Sequence, residues 1–222
     1  MFFECRCAVC RFEAGPVCAS CAGQFRPAPV LGDVRTRFVL DDALRPIVVA
    51  LKYRRERRLA RWVAETMVPL VPTLVDRVTW VPATPERVRW RGYDQSAEIA
   101  RALAASVGVP ATPLLGRERG DERQTSRSRS ERLEGPRLAS RGTCDGLVVV
   151  VDDVITTGAT LATATTCLGT AGARRVIPVA FAATPRWDQR PLQRSEHSST
   201  IRSWKSKSAP SASISLLASR ST

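Results

Sequence analysis

The stretch from Val148 to Ala162, VVVVDDVITTGATLA, combines residue types that could do chemistry. Four valines lead into Asp152 and Asp153, and a turn rich in threonine and glycine follows the two acids. An apolar run of this length predicts a buried strand of a parallel sheet. A buried carboxylate without a partner is very costly. The acids therefore predict a polar ligand, a metal or water at the carboxyl edge of the sheet, where open α/β sheets bind their ligands.

The turn after the acids predicts an anion site. It leads into a helical pattern, so its backbone N–H groups converge at the positive end of a helix. Glycine permits close approach of the backbone, and the threonine hydroxyls add donors; the predicted phosphate-binding residues are Thr156, Thr157, Gly158, Ala159 and Thr160. The two carboxylates can accept hydrogen bonds from vicinal hydroxyls or face a hydrated divalent cation. A phosphate on one side and a diol on the other describe a ribose 5-phosphate.

The absence of particular residues and motifs excludes several other types of nucleotide-binding and catalytic site. VVVVDD resembles a Walker B strand, but none of the three lysines (Lys52, Lys205 and Lys207) follows a glycine, so a Walker A motif is missing. There is no GxGxxG and no GxSxG. The sole histidine, His197, lies near the C-terminus, which excludes a Ser-His-Asp triad and an HExxH metal site in the core. A parallel strand with an acidic end and a capped helix is the structural alternative, and the length of the whole pattern favours the phosphate site.

The N-terminus contains two CxxC pairs, spaced Cys7-x2-Cys10-x7-Cys18-x2-Cys21. Two such knuckles in a reducing compartment predict one tetrahedral Zn²⁺ site, with Cys5 as a substitute ligand. Redox-active CxxC and disulfides are the alternatives; the first usually occurs singly and the second suits secreted proteins. Four thiolates leave no open position, so the predicted zinc is structural. Zinc ribbons of this size dock nucleic acid or protein, or simply staple a fold.

Strands that alternate with helices predict a parallel α/β sheet. Besides the opening strand, the predicted strands are Thr36–Leu40, Val78–Pro82 and Arg174–Ala183. A helix is predicted from Asp41, with Asp41 or Asp42 as N-cap and an apolar face of Leu44, Ile47, Val48 and Leu51; it continues through RRLARWVAETM. Two further helices are predicted, from about Ser96 to Gly108 and from about Gly158 to Ala171.

Composition divides the chain into three parts: a Cys-rich zinc-binding segment (1–29), an α/β domain (30–185) and a Ser-rich disordered tail (186–222). Residues 116–142 are rich in Arg, Ser and Gly and are predicted to form a mobile loop. The formal net charge of +13 favours partners that carry phosphate. No apolar run reaches membrane-spanning length and the N-terminus does not have the pattern of a signal peptide, so we expect a cytoplasmic protein.

On these residues the sequence resembles a known family. VVVVDDVITTGAT is similar to the phosphoribosyl-pyrophosphate motif of type I phosphoribosyltransferases. More narrowly, the chain resembles the ComF family, which is linked to DNA uptake in competent bacteria. This resemblance runs from about Cys7 to Ala183 and includes the Cys-rich N-terminus, LKY (51–53), VPATPERVRWRGYDQSAEIA (81–100) and the Arg- and Gln-bearing loop. Two departures stand out: the usual RGFNQ is RGYDQ here, with Asp94 in place of an amide, and LEGPRLA replaces the usual residues after Arg132.

The resemblance implies a type I phosphoribosyltransferase-like fold and assigns roles to the residues above. Asp152 and Asp153 would contact the ribose hydroxyls of phosphoribosyl pyrophosphate, directly or through Mg²⁺. The 156–160 turn would hold the 5-phosphate. Lys52, the VPATP turn and Arg91 would serve the pyrophosphate, the arginine through a bidentate contact.

Two functions from different classes follow. The first is a Mg²⁺-dependent phosphoribosyltransferase-like protein with an unknown acceptor. The second is a competence accessory protein that binds single-stranded DNA or a helicase partner without turnover. The intact motif favours the first function, and the basic charge and zinc segment favour the second.

Overall fold

A four-stranded parallel sheet forms the centre of the protein. The computed structural model describes residues 6–12, 15–29, 33–54, 56–117 and 137–185, all within one compact unit, Met1–Arg190. The strands of this sheet are β1 (Arg35–Val39), β2 (Arg77–Trp80), β5 (Leu147–Ile155) and β6 (Arg175–Ala183), in the order β1-β6-β5-β2. Every neighbouring pair is parallel. The predicted fold class, a parallel sheet flanked by helices, is confirmed.

Helices cover both faces of the sheet. They are α1 (Ala19–Ala22), α2 (Arg45–Tyr53), α3 (Arg58–Met67), α4 (Pro85–Arg91), α5 (Gln95–Val107) and α6 (Ala159–Thr170), with a 3₁₀ turn at Val68–Leu70. The four consecutive valines of β5, Val148 to Val151, are fully buried. Because side chains alternate along a strand, Val149 and Val151 join the core formed with α2, α3 and α5, and Val148 and Val150 join the core formed with α6. Two buried faces explain the unbroken apolar run.

The first long helix begins later than predicted, and two helices replace one. Leu44, not Asp41 or Asp42, is the N-cap of α2. Asp41 instead closes the preceding turn, where its Oδ1 accepts from the Leu44 N–H at 3.2 Å. Pro46 starts the helix well because its fixed φ suits the first turn and it has no N–H to leave unpaired. The predicted apolar face is buried as expected.

The ends of the predicted 116–142 loop are ordered. They contribute to an antiparallel pair, β3 (Leu115–Arg117) with β4 (Leu138–Ser140). Residues 118–136 lie outside the described residues, and so do Cys5 and the predicted tail at 186–222. The mobility of the loop and the disorder of the tail therefore stay predictions.

The Cys-rich segment packs into the core of the sheet. Ala8 and Phe25 are buried in the cluster under α2 and α3. The Phe25 ring meets those of Phe38 and Trp62 edge-to-face, at centroid distances of 5.6 and 6.0 Å. The domain boundary at residue 29 stays a prediction. Within the described residues, no helix has the length and apolar character needed to span a bilayer.

Candidate ligand site and metal centre

A polar cavity of about 330 Å³ lies beyond the carboxyl ends of β2 and β5. Its walls carry two carboxylates and four cationic side chains, so the cavity as a whole is positive; the charged residues are Asp152, Asp153, Lys52, Arg87, Arg91 and Arg117. The remaining lining residues are Val81, Pro82, Ala83, Gln95, Ser96, Val154, Thr156 and Thr160. A positive cavity with an acidic floor suits a polyanion that also presents hydroxyls or a divalent cation.

The sequence suggested that the two acids follow the buried strand. In the structure, both lie within β5. Asp152 Oδ1 accepts from Ser96 Oγ at 3.2 Å and from the Asp153 N–H at 2.8 Å. Asp153 Oδ1 accepts from the Val154 N–H at 2.7 Å, and its Oδ2 pairs with Lys52 Nζ at 2.9 Å. Burial, together with the neighbouring charge of Asp153, raises the pKa of Asp152 to about 7. A raised carboxyl pKa means that the folded protein has too few partners for this charge, which a cation could supply.

Lys52 reaches the acids from the last turn of α2. The position of this turn is fixed by Tyr93, whose buried hydroxyl donates to the Leu51 carbonyl. With its side chain only 19% exposed, Lys52 is held within the cavity wall. The structure thus brings Lys52 and Asp153, predicted from separate motifs, into direct contact.

Arg91 ends α4 and faces the start of α5. Its Nη1 donates to Gln95 Oε1 at 2.8 Å. Arg91 Nε and Gln95 Nε2 are both buried and have no acceptor among the described residues. Unsatisfied buried donors are costly, so both groups are suited to donate to an anion in the cavity.

Asp94, the acid that replaces an amide of the related motif, is a structural residue. Its Oδ1 accepts from the Ala97 N–H at 3.2 Å and caps α5, while its Oδ2 accepts from the Ala83 N–H at 2.8 Å. Burial raises the pKa of Asp94. Asp94 ties the turn after β2 to the start of α5, and it is not among the described residues that line the cavity.

The threonine-rich turn has the backbone that an anion site requires. Gly158 is the N-cap of α6 and has a φ of 79°, a left-handed conformation that favours glycine. Because Gly158 has no side chain, it cannot accept hydrogen bonds from the first amides of the helix through a side-chain cap. Thr157 Oγ1 accepts from the Ala159 N–H at 3.3 Å. Thr156 and Thr160 line the cavity; Thr157, Gly158 and Ala159 form the turn that connects them.

Four polar residues of the cavity were absent from the predicted set: Arg87, Gln95, Ser96 and Arg117. Arg87 and Arg91 are four residues apart, a spacing that places both on one face of a helix. That signal could have added Arg87 once Arg91 was chosen. Arg117 donates from Nε to the Pro82 carbonyl at 2.8 Å. Its place depends on the β3–β4 pair, which the sequence did not indicate.

The four predicted metal ligands come together at the N-terminus. The Sγ atoms of Cys7, Cys10, Cys18 and Cys21 all lie within 4.8 Å of one another, and those of Cys10 and Cys18 are 3.8 Å apart. Sulfurs at the corners of a tetrahedron around zinc, with Zn–S bonds of about 2.3 Å, are separated by about 3.8 Å. The cluster is therefore compatible with a structural zinc ion.

The thiols of this cluster differ in their readiness to ionise. Burial opposes ionisation of Cys7, but backbone N–H groups, first that of Cys18, outweigh it and lower the pKa of Cys7 to about 6. Burial and the neighbouring thiols raise the pKa of Cys21 to about 12. No disulfide joins any of these four cysteines. A bound cation would stabilise the thiolates that crowding otherwise disfavours.

The chain is similar to parts of several solved structures. A structure of the allosteric regulatory enzyme of purine biosynthesis is 28% identical over 55% of this chain and 25% of its own, with a TM-score of 0.40. Glutamine phosphoribosylpyrophosphate amidotransferase from B. subtilis is 30% identical over 55% of this chain and 26% of its own, with a TM-score of 0.39. The chain thus spans about a quarter of the length of these two proteins. Hypoxanthine phosphoribosyltransferase from Trypanosoma cruzi is 17% identical over 63% of this chain and 73% of its own, with a TM-score of 0.38.

A family model gives the assignment. No curated protein matches the chain in sequence. The model of the phosphoribosyl transferase domain matches residues 94–209, just over half of the 222 residues. The match includes both acids of β5 and the whole turn that leads into α6. This chain therefore belongs to the phosphoribosyl transferase domain family.

Proposed function

We propose that the cavity binds phosphoribosyl pyrophosphate with Mg²⁺ and supports transfer of the phosphoribosyl group to an acceptor. One observation carries this proposal: four cationic side chains, two carboxylates and two threonines of the turn at the start of α6 line one cavity. The ligand is a sugar with a phosphate at one end and a pyrophosphate at the other. Such a ligand needs hydrogen-bond donors around its phosphates and hydrogen-bond acceptors for its ribose hydroxyls.

Each part of the ligand has a matching group in the cavity. The 5-phosphate accepts from the 156–160 turn, where backbone amides and threonine hydroxyls converge. The ribose hydroxyls face Asp152 and Asp153, directly or through the cation. Lys52 and Arg91 serve the pyrophosphate; we add Arg87 and Arg117 to these, since both line the same cavity.

The reaction would form a bond between the acceptor and the anomeric carbon while the bond from that carbon to the pyrophosphate oxygen breaks. Mg²⁺, when bound, neutralises charge on the departing pyrophosphate. The cationic side chains hold that group and stabilise the negative charge that it gains. The carboxylate of Asp153, whose position Lys52 fixes, would stabilise the positive charge that develops on the sugar. Orientation of the two reactants supplies the remaining acceleration.

Within this family we propose that the chain is a ComF-like protein. The proposal is supported by the combination of the four-cysteine cluster with LKY, RGYDQ and the acidic strand in one chain, since Lys52, Arg91 and Asp153 from these three motifs meet at one cavity. Structural zinc then belongs to the same protein as the ligand site. The acceptor is unassigned because no described residue marks a site selective for one base.

Calorimetric titration with phosphoribosyl pyrophosphate, with and without Mg²⁺, tests the proposal. We expect saturable binding that needs Mg²⁺ and is abolished by the double substitution Asp152→Asn with Asp153→Asn, which changes the charge but little of the shape. Unchanged affinity in the double variant would refute the site. Pyrophosphate release on addition of candidate acceptors then tests turnover.

An exposed aromatic pair favours a second candidate function, binding of single-stranded DNA. Tyr53 and Trp90 are 56% and 61% exposed and meet edge-to-face with ring centroids 5.3 Å apart. They adjoin Lys52 and Arg91 in sequence, and the Arg91 guanidinium lies 5.8 Å from the centre of the Tyr53 ring. Stacking of bases on aromatic rings beside cations is typical of single-strand binders.

Fluorescence anisotropy with a labelled oligonucleotide tests this second function. Replacing both Tyr53 and Trp90 with alanine should weaken binding of single strands and leave the Mg²⁺-dependent titration of the sugar pyrophosphate unchanged. If the double variant binds DNA as the wild type does, the aromatic pair is not a DNA platform. A helicase partner stays a prediction of the sequence.

A further inference from the structure

The turn between α2 and α3 connects the four-cysteine cluster to the ligand cavity. Glu56 is the acid at the centre of this turn, and its side chain is only 14% exposed. Its Oε1 accepts from Arg11 Nη2 at 3.2 Å, and its Oε2 accepts from Arg58 Nη2 at 3.0 Å. Arg58 Nη2 also lies 3.5 Å from the Arg6 carbonyl. Arg6 and Arg11 directly flank the Cys7–Cys10 knuckle. Glu56 therefore connects to one end of the knuckle directly, through Arg11, and to the other end through Arg58, which contacts Arg6.

The conformation of Arg11 depends on the knuckle. Its N–H donates to the Cys7 carbonyl at 3.0 Å and closes the turn that presents the two thiols. Its φ is 65°, in the left-handed region that a residue with a side chain seldom adopts. Such a conformation persists only where surrounding structure holds it. Metal bound to the thiols would supply that restraint and keep the guanidinium directed at Glu56.

The same turn contacts the cavity wall on its other side. The Glu56 N–H donates to the Ala50 carbonyl at 3.3 Å, within the helix that carries Lys52. Arg57 Nη2 donates to the Gly92 carbonyl at 2.8 Å, and its guanidinium lies 5.0 Å from the centre of the Tyr93 ring. Gly92 follows Arg91, and Tyr93 bonds to the residue before Lys52. The turn therefore touches the backbone beside Lys52 and Arg91, two of the four cations that would hold the pyrophosphate.

We propose that Glu56 is a positioning residue that couples metal binding at the four cysteines to anion binding in the cavity. With metal bound, Arg11 holds Glu56, and the turn holds Lys52 and Arg91 at the spacing the ligand needs. Without metal, the knuckle loosens, Glu56 loses one of its two partners and the two cations spread. This coupling rests on the proposed function for its ligand. It is reciprocal: by linkage, the ligand must strengthen metal binding by the same factor by which the metal strengthens ligand binding.

Glu56→Gln in the full chain tests the proposal, with Glu65→Gln as the matched control. Glu65 pairs with Arg61 on an exposed face of α3, with side chains 52% and 84% exposed. The readouts are zinc release to a chromogenic chelator and the affinity for Mg²⁺-phosphoribosyl pyrophosphate. We expect zinc removal to weaken the affinity of the wild type for the sugar pyrophosphate about fivefold or more. Glu56→Gln should weaken this affinity similarly, and zinc removal should then have little further effect in that variant. Glu65→Gln should match the wild type throughout.

Wild-type affinity and full zinc dependence in Glu56→Gln would overturn the coupling. If that variant does not fold, Arg11→Gln removes the same contact from its more exposed end, the Arg11 side chain being 41% exposed. Should the wild type not bind the sugar pyrophosphate at all, the proposed function has failed, and hydrogen exchange still tests the coupling. Zinc removal should then speed exchange at Leu51–Tyr53 and Arg91–Tyr93 in the wild type; unchanged exchange there would refute the connection.

Discussion

At the scale of single residues, the cavity places one carboxylate where its charge is poorly supported. One oxygen of Asp152 accepts hydrogen bonds from Ser96 and from the Asp153 N–H. The charge of Asp153 lies beside it and disfavours its ionisation. Burial raises its pKa from 3.8 to about 7, so protons favour the folded state. This contribution to stability is present below about pH 3.8 and is lost as the pH rises through about 7.

Asp152→Asn should therefore stabilise the protein without Mg²⁺ or ligand, and increasingly so at higher pH. Asparagine keeps the oxygen that accepts both hydrogen bonds and removes the unsupported charge. One pKa unit corresponds to about 1.4 kcal/mol, and partial exposure reduces the full effect, so we expect a gain of about 1 kcal/mol or more at pH 8. Thermal unfolding of both proteins from pH 4 to pH 8 measures it; a difference that does not grow with pH would contradict the assignment.

Lys52 is expected to matter for binding because it is the cation in direct contact with an acid of the site. Lys52→Met keeps the length of the side chain and removes its charge. Hydrogen bonds to charged groups contribute about 1.5–3 kcal/mol, so binding of the sugar pyrophosphate should weaken by about ten- to a hundredfold. Titration calorimetry measures the loss, and Arg61→Met, on the exposed face of α3, is the control. Equal affinities would remove Lys52 from the site.

At the scale of elements, the start of α6 combines two properties in one glycine. Gly158 adopts a left-handed φ of 79°, and Thr160 in the first turn of α6 lines the cavity. Gly108, at the C-terminal end of α5, has a φ of 76° and no atom within 4 Å of an added Cβ. The two glycines thus share a conformation, and one of them is remote from the cavity.

Replacing each glycine with alanine separates strain from function. Both variants should lose about 1–2 kcal/mol of unfolding free energy, the cost of a left-handed alanine. Only Gly158→Ala should also weaken phosphate binding, because its turn must relax away from the anion. Urea unfolding gives the stability, and competition by inorganic phosphate gives the affinity. Loss of affinity in Gly108→Ala as well would mean that strain anywhere in the fold disturbs the site.

At the scale of the molecule, the cysteine cluster and the sheet share a continuous core. Phe25 packs on Phe38, and Phe38 packs on Phe181 of the central sheet at a centroid distance of 5.7 Å. If the cysteine segment lay only on the surface, loss of its metal would leave the core of the sheet unchanged. Here the loss of a bound metal would expose aromatic surface that belongs to the main core.

Cys18→Ser should consequently destabilise the whole unit. We expect about one zinc per chain in the wild type, reduced zinc in the variant, and a single unfolding transition at lower temperature. Metal analysis and calorimetry measure the two effects together. A wild-type protein that contains no zinc would end the metal assignment. Two separate transitions, with the main one unmoved, would show that the segment folds independently of the sheet.

The sequence by itself determined the strands, the turn and the membership of the site in broad terms. The apolar run of β5 and the Thr/Gly turn follow from local physics: period, burial and the φ that glycine permits. The ligand classes follow from residue types, since carboxylates, lysine and CxxC pairs have few chemical uses. For these reasons Asp152 and Asp153 could be placed in a predicted site from the residues alone, and the family resemblance added Lys52 and Arg91 to it.

Tertiary structure alone decided which side chains meet and what each then does. Arg87, Gln95 and Arg117 enter the cavity because α4, α5 and β3 pack around β2, and those packings join residues distant in the chain. Asp94 became a cap because two amides lay within its reach. Glu56 gained its place between metal and cavity in the same way. Such contacts depend on the relative positions of whole elements, which neither periodicity nor residue type encodes, whereas strands and turns depend on neighbours in sequence.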